Sequence, residues 1–197
     1  MHMKKFWMVC ASLAFSISLR AEPVTLFGLS LDQPVDLPAC PLFDGVAGSD
    51  LRSQLEKVDE TCISRHGNQS EYGALVVYNA WIAFSEHEKP DLPLERVINA
   101  RLDGNDRLIH LEFDLYGGLQ EQEDAFAMLV TLFGQPTERY YTQEGDGDWF
   151  RSTGSLNAKW LFNDGDVILF TGEYGEIEKG YLIVSSKAMA EAAATLE

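Results

Sequence analysis

A strand–turn–strand–helix pattern over residues 97–137 constrains the fold of this chain more than any other feature. It contains two stretches in which every second residue is apolar. These apolar residues are Ile98, Ala100, Leu102, Ile109, Leu111, Phe113 and Leu115. Alternation with a period of two is typical of strands that bury one face, and the Asp-Gly-Asn sequence at 103–105 predicts a tight turn between them. The pattern therefore predicts a β-hairpin with one apolar face, which puts His110, Glu112 and Asp114 on the other face.

A helix is predicted directly after the hairpin, over Leu119–Phe133. Its apolar residues recur at the i, i+3, i+4, i+7 spacing that puts them on one side of a helix. They are Phe126, Leu129, Val130 and Phe133. Gly134 can adopt the left-handed cap conformation and Pro136 cannot continue a helix, so these two residues mark its end. A helix with one apolar stripe packs well on a sheet with one apolar face.

Shorter apolar runs predict further strands on both sides of this unit. They lie at 24–31, 75–84, 138–142 or 149–151, 157–162, 167–171 and 180–184. The polar segment 66–71 predicts a turn, and the alanine-rich segment 187–196 predicts a C-terminal helix that is either docked or frayed. The triplet Leu-Phe-Gly at 26–28 and again at 132–134 is a weak indication of a duplicated architecture.

Another helix is predicted after Ser49, which is a suitable N-cap residue. Its apolar positions are Leu51, Leu55, Val58 and Cys62. The first 21 residues do not belong to this folded unit. They predict a secretory signal peptide, because a short basic region precedes an apolar run at 6–19 and Ala21 offers a cleavage position. The alternative is an uncleaved membrane anchor, but the run is shorter than the roughly 20 residues that span a bilayer.

A cleaved signal peptide implies a periplasmic protein whose mature chain has no membrane span and contains two cysteines, Cys40 and Cys62. Two cysteines in an exported chain predict a disulfide, which would close a loop of 23 residues. Free thiols or half of a metal site are the alternatives, although the spacing fits no compact zinc pattern. We expect the disulfide to stabilise the fold by roughly 3 kcal/mol.

These patterns together predict an α+β fold. It consists of a mainly antiparallel sheet of about six to eight strands, one helix packed on it and a disulfide-tied N-terminal segment. The predicted organisation is a signal peptide at 1–21, a single α+β domain at 22–185 and a helix-prone tail at 186–197.

The charge of the chain limits its partners. Its formal net charge is −16. The predicted signal peptide holds three basic residues (Lys4, Lys5 and Arg20), so the mature chain would carry 31 acidic residues against 12 basic ones, a charge of −19. Such a chain repels phosphate backbones and anionic lipids, so nucleic-acid binding is not expected. A cationic protein is the favoured partner, with solubility as the alternative explanation of the acidity.

Motifs of catalysis are missing from the sequence. It contains no G-x-S-x-G, Walker A or G-x-G-x-x-G pattern. None of His66, His87 and His110 has a partner at metal-ligand spacing, and the Asp-Gly sequences at 145–148 and 163–166 lack the full calcium-loop order. We therefore predict a protein that is not an enzyme, with no catalytic residue, cofactor or metal. A pair of carboxylates with acid–base chemistry stays open, because 31 acidic residues make such pairs frequent.

Aromatic residues around a glycine-rich segment form the candidate interface. The predicted residues are Tyr140, Tyr141, Asp146, Asp148, Trp149 and Phe150. Exposed aromatic side chains suit a protein interface or a sugar platform, and the alternative is that they cover a sheet edge. The function predicted from these features is that of an exported, non-enzymatic binding protein for another, cationic protein. It would act as an inhibitor or immunity factor against a basic enzyme of the cell envelope. A carrier of a small apolar ligand and an envelope hydrolase with an unrecognised carboxylate site are the alternatives.

Overall fold

The structure of the protein is a computed structural model, which describes residues 23–41, 49–92, 94–116, 119–144, 153–174 and 179–195. The predicted signal peptide lies outside these ranges. The strands are β1 Thr25–Leu26, β2 Leu29–Ser30, β3 Cys62–Tyr72, β4 Leu75–Ala83, β5 Val97–Leu102, β6 Leu108–Tyr116, β7 Glu138–Glu144, β8 Thr153–Leu161, β9 Val167–Tyr174 and β10 Lys179–Ser185. The helices are α1 Ser49–Leu55, α2 Leu119–Phe133 and α3 Lys187–Ala194. Within the described ranges, no helix combines the length and apolar character that a membrane crossing requires.

Two four-stranded meanders form one antiparallel sheet. The order of its eight described strands is β3-β4-β5-β6-β10-β9-β8-β7, so the meanders join through their last strands, β6 and β10. The short pair β1–β2 stands apart from this sheet. The predicted antiparallel α+β fold is therefore confirmed. The Leu-Phe-Gly triplets occupy unrelated places, a turn at 26–28 and the end of α2 at 132–134. They are therefore not equivalent positions in the two meanders.

The main core lies on one side of this sheet, here called the first face. Alternate strand residues supply its lower layer, and α2 and the N-terminal segment cover them. Fully buried members include Leu26, Leu31, Ile82, Ile98, Leu111, Phe113, Leu129, Phe170 and Leu182. The predicted apolar stripe of α2 takes part through Phe126 and Leu129, with Val130 and Phe133 partly buried at its edge.

Two strand glycines let α2 approach the sheet closely. The fully buried Gln122 side chain lies over Gly172 and Gly180, and a Cβ added at Gly172 would stand 3.0 Å from Gln122 Oε1. At the other end of α2, Gly134 has a φ of 77°, and its N–H donates to the Val130 carbonyl at 2.9 Å. This left-handed cap confirms the predicted end of the helix.

The opposite side of the sheet, the second face, is covered over the first meander. There α1 packs Leu55 into a cluster with Ala83 and Val97. The last helix, α3, buries Met189 against Val77 and Ile109, so the C-terminal segment is a docked helix.

One residue of the predicted hairpin, Ile109, lies on the face opposite to the predicted one. In the ladder, Leu102 is opposite Leu108 and Arg101 is opposite His110, so Ile109 is an extra residue in a β-bulge. A bulge interrupts the strict alternation of side chains. The prediction that Ile109 shares a face with Leu111 was therefore wrong, because Ile109 packs under α3.

Three other local predictions were also wrong. The single strand predicted at 24–31 is the hairpin β1–β2, whose turn residues Phe27 and Gly28 both have positive φ values, 54° and 78°. The polar segment 66–71 lies inside β3, which contains a register irregularity there. The first helix ends at Leu55, while Cys62 pairs with Ala83 in the sheet. Pairing with the next strand, β4, overrode the local patterns in the last two cases.

The N-terminal segment crosses the first face and is bonded at both ends. Near β6, the Asp32 N–H donates to the Leu108 carbonyl at 2.7 Å. Near β3, the Ile63 N–H donates to the Pro38 carbonyl at 2.9 Å, and the predicted disulfide joins Cys40 to Cys62 with a Cα–Cα distance of 4.9 Å. The disulfide is therefore confirmed, and it ties this segment to the start of β3 rather than to a helix end.

Candidate functional site

The predicted interface falls largely beyond the described residues. Tyr140 lies in β7 with 54% of its surface exposed. Tyr141 follows it in the same strand, and its side chain is not described. Asp146, Asp148, Trp149 and Phe150 lie outside the described residues. The structure therefore places the side chain of Tyr140 and leaves the remainder of this prediction untested.

Tyr140 stands at the end of a row of hydrogen-bonding side chains on the second face. Across the second meander, Tyr140 is opposite Asn157, Asn157 is opposite Thr171, and Thr171 is opposite Tyr181. The Thr171 hydroxyl donates to Asn157 Oδ1 at 3.0 Å. Because residues that are opposite in a ladder share a face, these four side chains line up across four strands.

Apolar side chains lie beside this row on the same face. Leu169 is opposite both Ile183 and Lys159, and Leu161 is opposite Val167. Leu161 and Leu169 are 46% and 38% exposed, respectively. Their strand neighbours alternate with them into the main core, as the period of two requires. We call this surface the open face; its members are Tyr140, Asn157, Lys159, Leu161, Val167, Leu169, Thr171, Tyr181 and Ile183.

The open face contains exposed large hydrophobic residues. The described part of the chain has seven such residues, and three of them belong to the open face: Tyr140, Leu161 and Leu169. Single exposed apolar residues are ordinary. Leu161 and Leu169 are diagonal neighbours on adjacent strands, and exposed apolar residues that lie together can mark a contact surface. The sequence did not indicate Leu161 or Leu169, because their neighbours on the face come from other strands.

Acidic residues border the open face on β6. Glu112 is opposite Ile183, and Asp114 is opposite Tyr181. The Glu112 carboxylate lies 4.0 Å from the Arg101 guanidinium and 3.8 Å from His110 Nε2. On the other side, Glu138 of β7 lies 3.9 Å from Lys159, which belongs to the open face.

Asp114 belongs to a second group of acids at the end of β6. The Tyr116 hydroxyl donates to Glu95 Oε1 at 2.6 Å and lies 3.4 Å from Asp114 Oδ2. Burial, the hydrogen bond to Glu95 and the two nearby carboxylates raise the pKa of Tyr116. Arg52 of α1 also binds Glu95 and donates to the Val97 carbonyl at 2.7 Å. This group connects α1 to the sheet.

A buried serine–histidine pair is the nearest approach to a catalytic arrangement in the described residues. Ser185 Oγ and His110 Nδ1 are 2.8 Å apart, and Glu112 lies beside the other ring nitrogen. Both residues are more than nine-tenths buried, and Ser186 caps the helix that follows them by accepting from the Met189 N–H. A serine nucleophile must reach a substrate carbonyl, and the burial of this pair leaves Ser185 little access to one. The pair is separated by 75 residues in sequence, which hid it from motif reading.

Carboxylates also gather where the β5–β6 and β8–β9 turns meet the N-terminal segment. Burial raises the pKa of Asp166, whose Oδ1 accepts from the Lys187 N–H at 3.1 Å. Burial also raises the pKa of Asp32, and the nearby Asp103 and Asp164 add to that effect while Arg107 opposes it. The Asp166 N–H donates to Asp164 Oδ1 at 3.2 Å, a turn geometry that needs no metal. Among the described residues, no three His, Cys, Asp or Glu side chains are arranged to hold a metal ion.

A comparison with protein-family models, curated proteins and solved structures finds no match to the chain. The functional inference therefore rests on the open face, its acidic border and the charge of the chain.

Proposed function

We propose that this protein is an exported, non-enzymatic binding protein whose partner is a cationic protein, and that it acts as an inhibitor or immunity factor against a basic enzyme of the cell envelope. The observation that supports this most directly is the open face. Exposed Tyr140, Leu161 and Leu169 on one side of a rigid sheet resemble the centre of a protein interface, where tyrosine and large apolar residues are enriched.

The sign of the charge favours a basic partner. The chain carries a net charge of −16, and the border residues Glu112, Asp114 and Glu138 bring acids next to the apolar surface. Opposite charge on a partner accelerates association and selects against acidic competitors. An apolar centre with an acidic rim therefore supports a partner that presents apolar and basic groups together.

Binding can be tested by calorimetry with the chain that begins at Glu22. The probes are egg-white lysozyme as a basic muramidase, a basic amidase and a basic phospholipase, each with an acidic protein of similar size as its control. We expect at least one basic enzyme to bind, with an affinity that falls at least about tenfold between roughly 20 and 300 mM NaCl, because salt screens exposed charges. Absence of binding by all the basic enzymes at low salt, or equal binding by their acidic controls, would refute the proposal.

Inhibition is tested separately with the enzyme that binds most tightly. We expect its turnover of a cell-wall or lipid substrate to decrease in proportion to complex formation. An enzyme that stays fully active in the complex would contradict the inhibitory role and leave the binding role in place.

A further inference from the structure

The register of the sheet sets a distance between the acidic border and the apolar centre. Glu112 on β6 is opposite Ile183 on β10, and Ile183 is opposite Leu169 on β9. Adjacent strands lie about 4.8 Å apart, so the Cα atoms of Glu112 and Leu169 are separated by roughly 10 Å. Negative charge and exposed apolar surface therefore occupy one straight row across the joined meanders.

A buried histidine is aimed at this border. His110 is 6% exposed, and its Nε2 has no hydrogen-bond partner among the described residues. Nε2 lies 3.8 Å from Glu112 Oε2, while Nδ1 is engaged by Ser185. When the Ser185 hydroxyl donates to Nδ1, the neutral ring carries its proton on Nε2. The Nε2–H group then faces the Glu112 carboxylate. His110 Nε2 and the Glu112 carboxylate therefore lie together at the edge of the open face.

Arg101 contacts both the acidic border and an aromatic ring. Arg101 lies 4.0 Å from Glu112, beyond hydrogen-bonding distance, and its guanidinium stands over the Tyr72 ring at 5.1 Å. An ion pair of this length and partial exposure contributes little stability.

We propose that the open face recognises a basic segment of its partner at two points, with a Lys or Arg side chain at Glu112 and Asp114 and an apolar side chain about 10 Å away over Leu169 and Leu161. This inference rests on the proposed function and specifies the chemistry of the partner. A second copy of the chain does not satisfy it, because each copy has a charge of −16 and would bring its own acidic border to the contact.

The two points are tested with matched variants and the basic enzyme that binds most tightly. Leu169→Ser alters the apolar point, and its control is Leu132→Ser on α2, where Leu132 is 55% exposed away from the sheet. Glu112→Gln with Asp114→Asn removes the charge, and its control is Glu121→Gln on α2. Thermal unfolding of each variant verifies that it is folded. A variant of Asp114 alone provides the charge test if the double variant fails to fold.

We expect Leu169→Ser to weaken binding at least about tenfold at both low and high salt, because it removes a central apolar contact. The charge variant should weaken binding mainly at low salt and reduce the dependence of affinity on salt concentration. The control variants should remain within about twofold of the unmodified chain.

Amide chemical shifts that change on complex formation should map to β9, β10 and β6. Changes confined to α1 and β3, or equal losses for Leu169→Ser and Leu132→Ser, would overturn the two-point site and leave cationic binding intact. Failure of every basic enzyme to bind would overturn both proposals. Shifts at the open face caused by chitin oligosaccharides and not by the basic enzymes would assign the face to a glycan and contradict the inference.

Discussion

Ser185 Oγ and His110 Nδ1 lie 2.8 Å apart across the seam where β6 and β10 join the two meanders. This hydrogen bond connects two strands that are distant in sequence, and it lies next to the start of α3. It also orients the ring whose other nitrogen faces Glu112. This buried hydrogen bond therefore connects the junction of the two meanders with the acidic border of the open face.

Removal of the serine hydroxyl should destabilise the protein. Ser185→Ala leaves a buried ring nitrogen without its partner, and we expect a loss of about 1–3 kcal/mol in the free energy of unfolding. Urea unfolding measures this loss. Ser53→Ala in α1 is the control, because Ser53 is exposed, and it should change stability by less than about 0.5 kcal/mol. Equal effects of the two substitutions would show that the Ser185–His110 contact contributes nothing.

Stability should decrease as the pH falls below the ordinary histidine pKa of 6.5. Burial, aided by Arg101, lowers the pKa of His110, although Glu112 opposes the shift, and burial also lowers the pKa of His66. The unfolded chain therefore binds more protons than the folded one below pH 6.5, and acid favours unfolding until the folded-state pKa is reached. Urea unfolding at several pH values from neutral to about 5 measures the slope.

His110→Asn is the matched variant for this titration. The amide can still accept from Ser185 but cannot gain a proton, so we expect a shallower dependence of stability on pH. Asp32 and the buried Asp166 have raised pKa values, which favour the folded state as pH falls toward their ordinary value of 3.8. Their effect has the opposite sign and begins at lower pH. An unchanged slope in His110→Asn would contradict the assignment.

The disulfide should support the fold without supporting the open face. Replacement of both Cys40 and Cys62 by serine should lower the free energy of unfolding by roughly 3 kcal/mol, because it frees the loop that the bond closes. Since β3 and β7 lie at opposite edges of the sheet, binding of a basic enzyme should persist under conditions in which the variant stays folded. Loss of binding by a folded variant would indicate that the binding site lies nearer to β3.

Two leucines of α2 provide a matched test of the core. Leu129 is fully buried and Leu132 is 55% exposed, although both lie in the same helix. We expect Leu129→Ala to cost about 2–5 kcal/mol of unfolding free energy, because it leaves a cavity against the sheet. Leu132→Ala should cost less than about 0.5 kcal/mol. Similar losses measured by urea unfolding would mean that α2 packs on the sheet through a different helix face.

Local patterns were sufficient where neighbours in sequence set the structure. The hairpin β5–β6, the helix α2 and its glycine cap at Gly134 all follow from alternation, helical spacing and backbone preference within short windows. The pairing of Cys40 with Cys62 also followed from the sequence, because the predicted signal peptide leaves no other cysteine. These features could be predicted without knowledge of the tertiary structure.

Tertiary structure decided the remainder. The packing of the bulged Ile109 under α3 and the joining of β6 to β10 depend on contacts between residues that are distant in sequence. The extension of β3 through a polar segment depends on its pairing with β4. The same holds for the candidate site: the sequence pointed to Tyr140, but only the strand register shows that Leu161 and Leu169 lie on the same face of the sheet. The sequence alone determined the elements and the acidity, whereas strand pairing decided which apolar residues remain exposed together beside that charge.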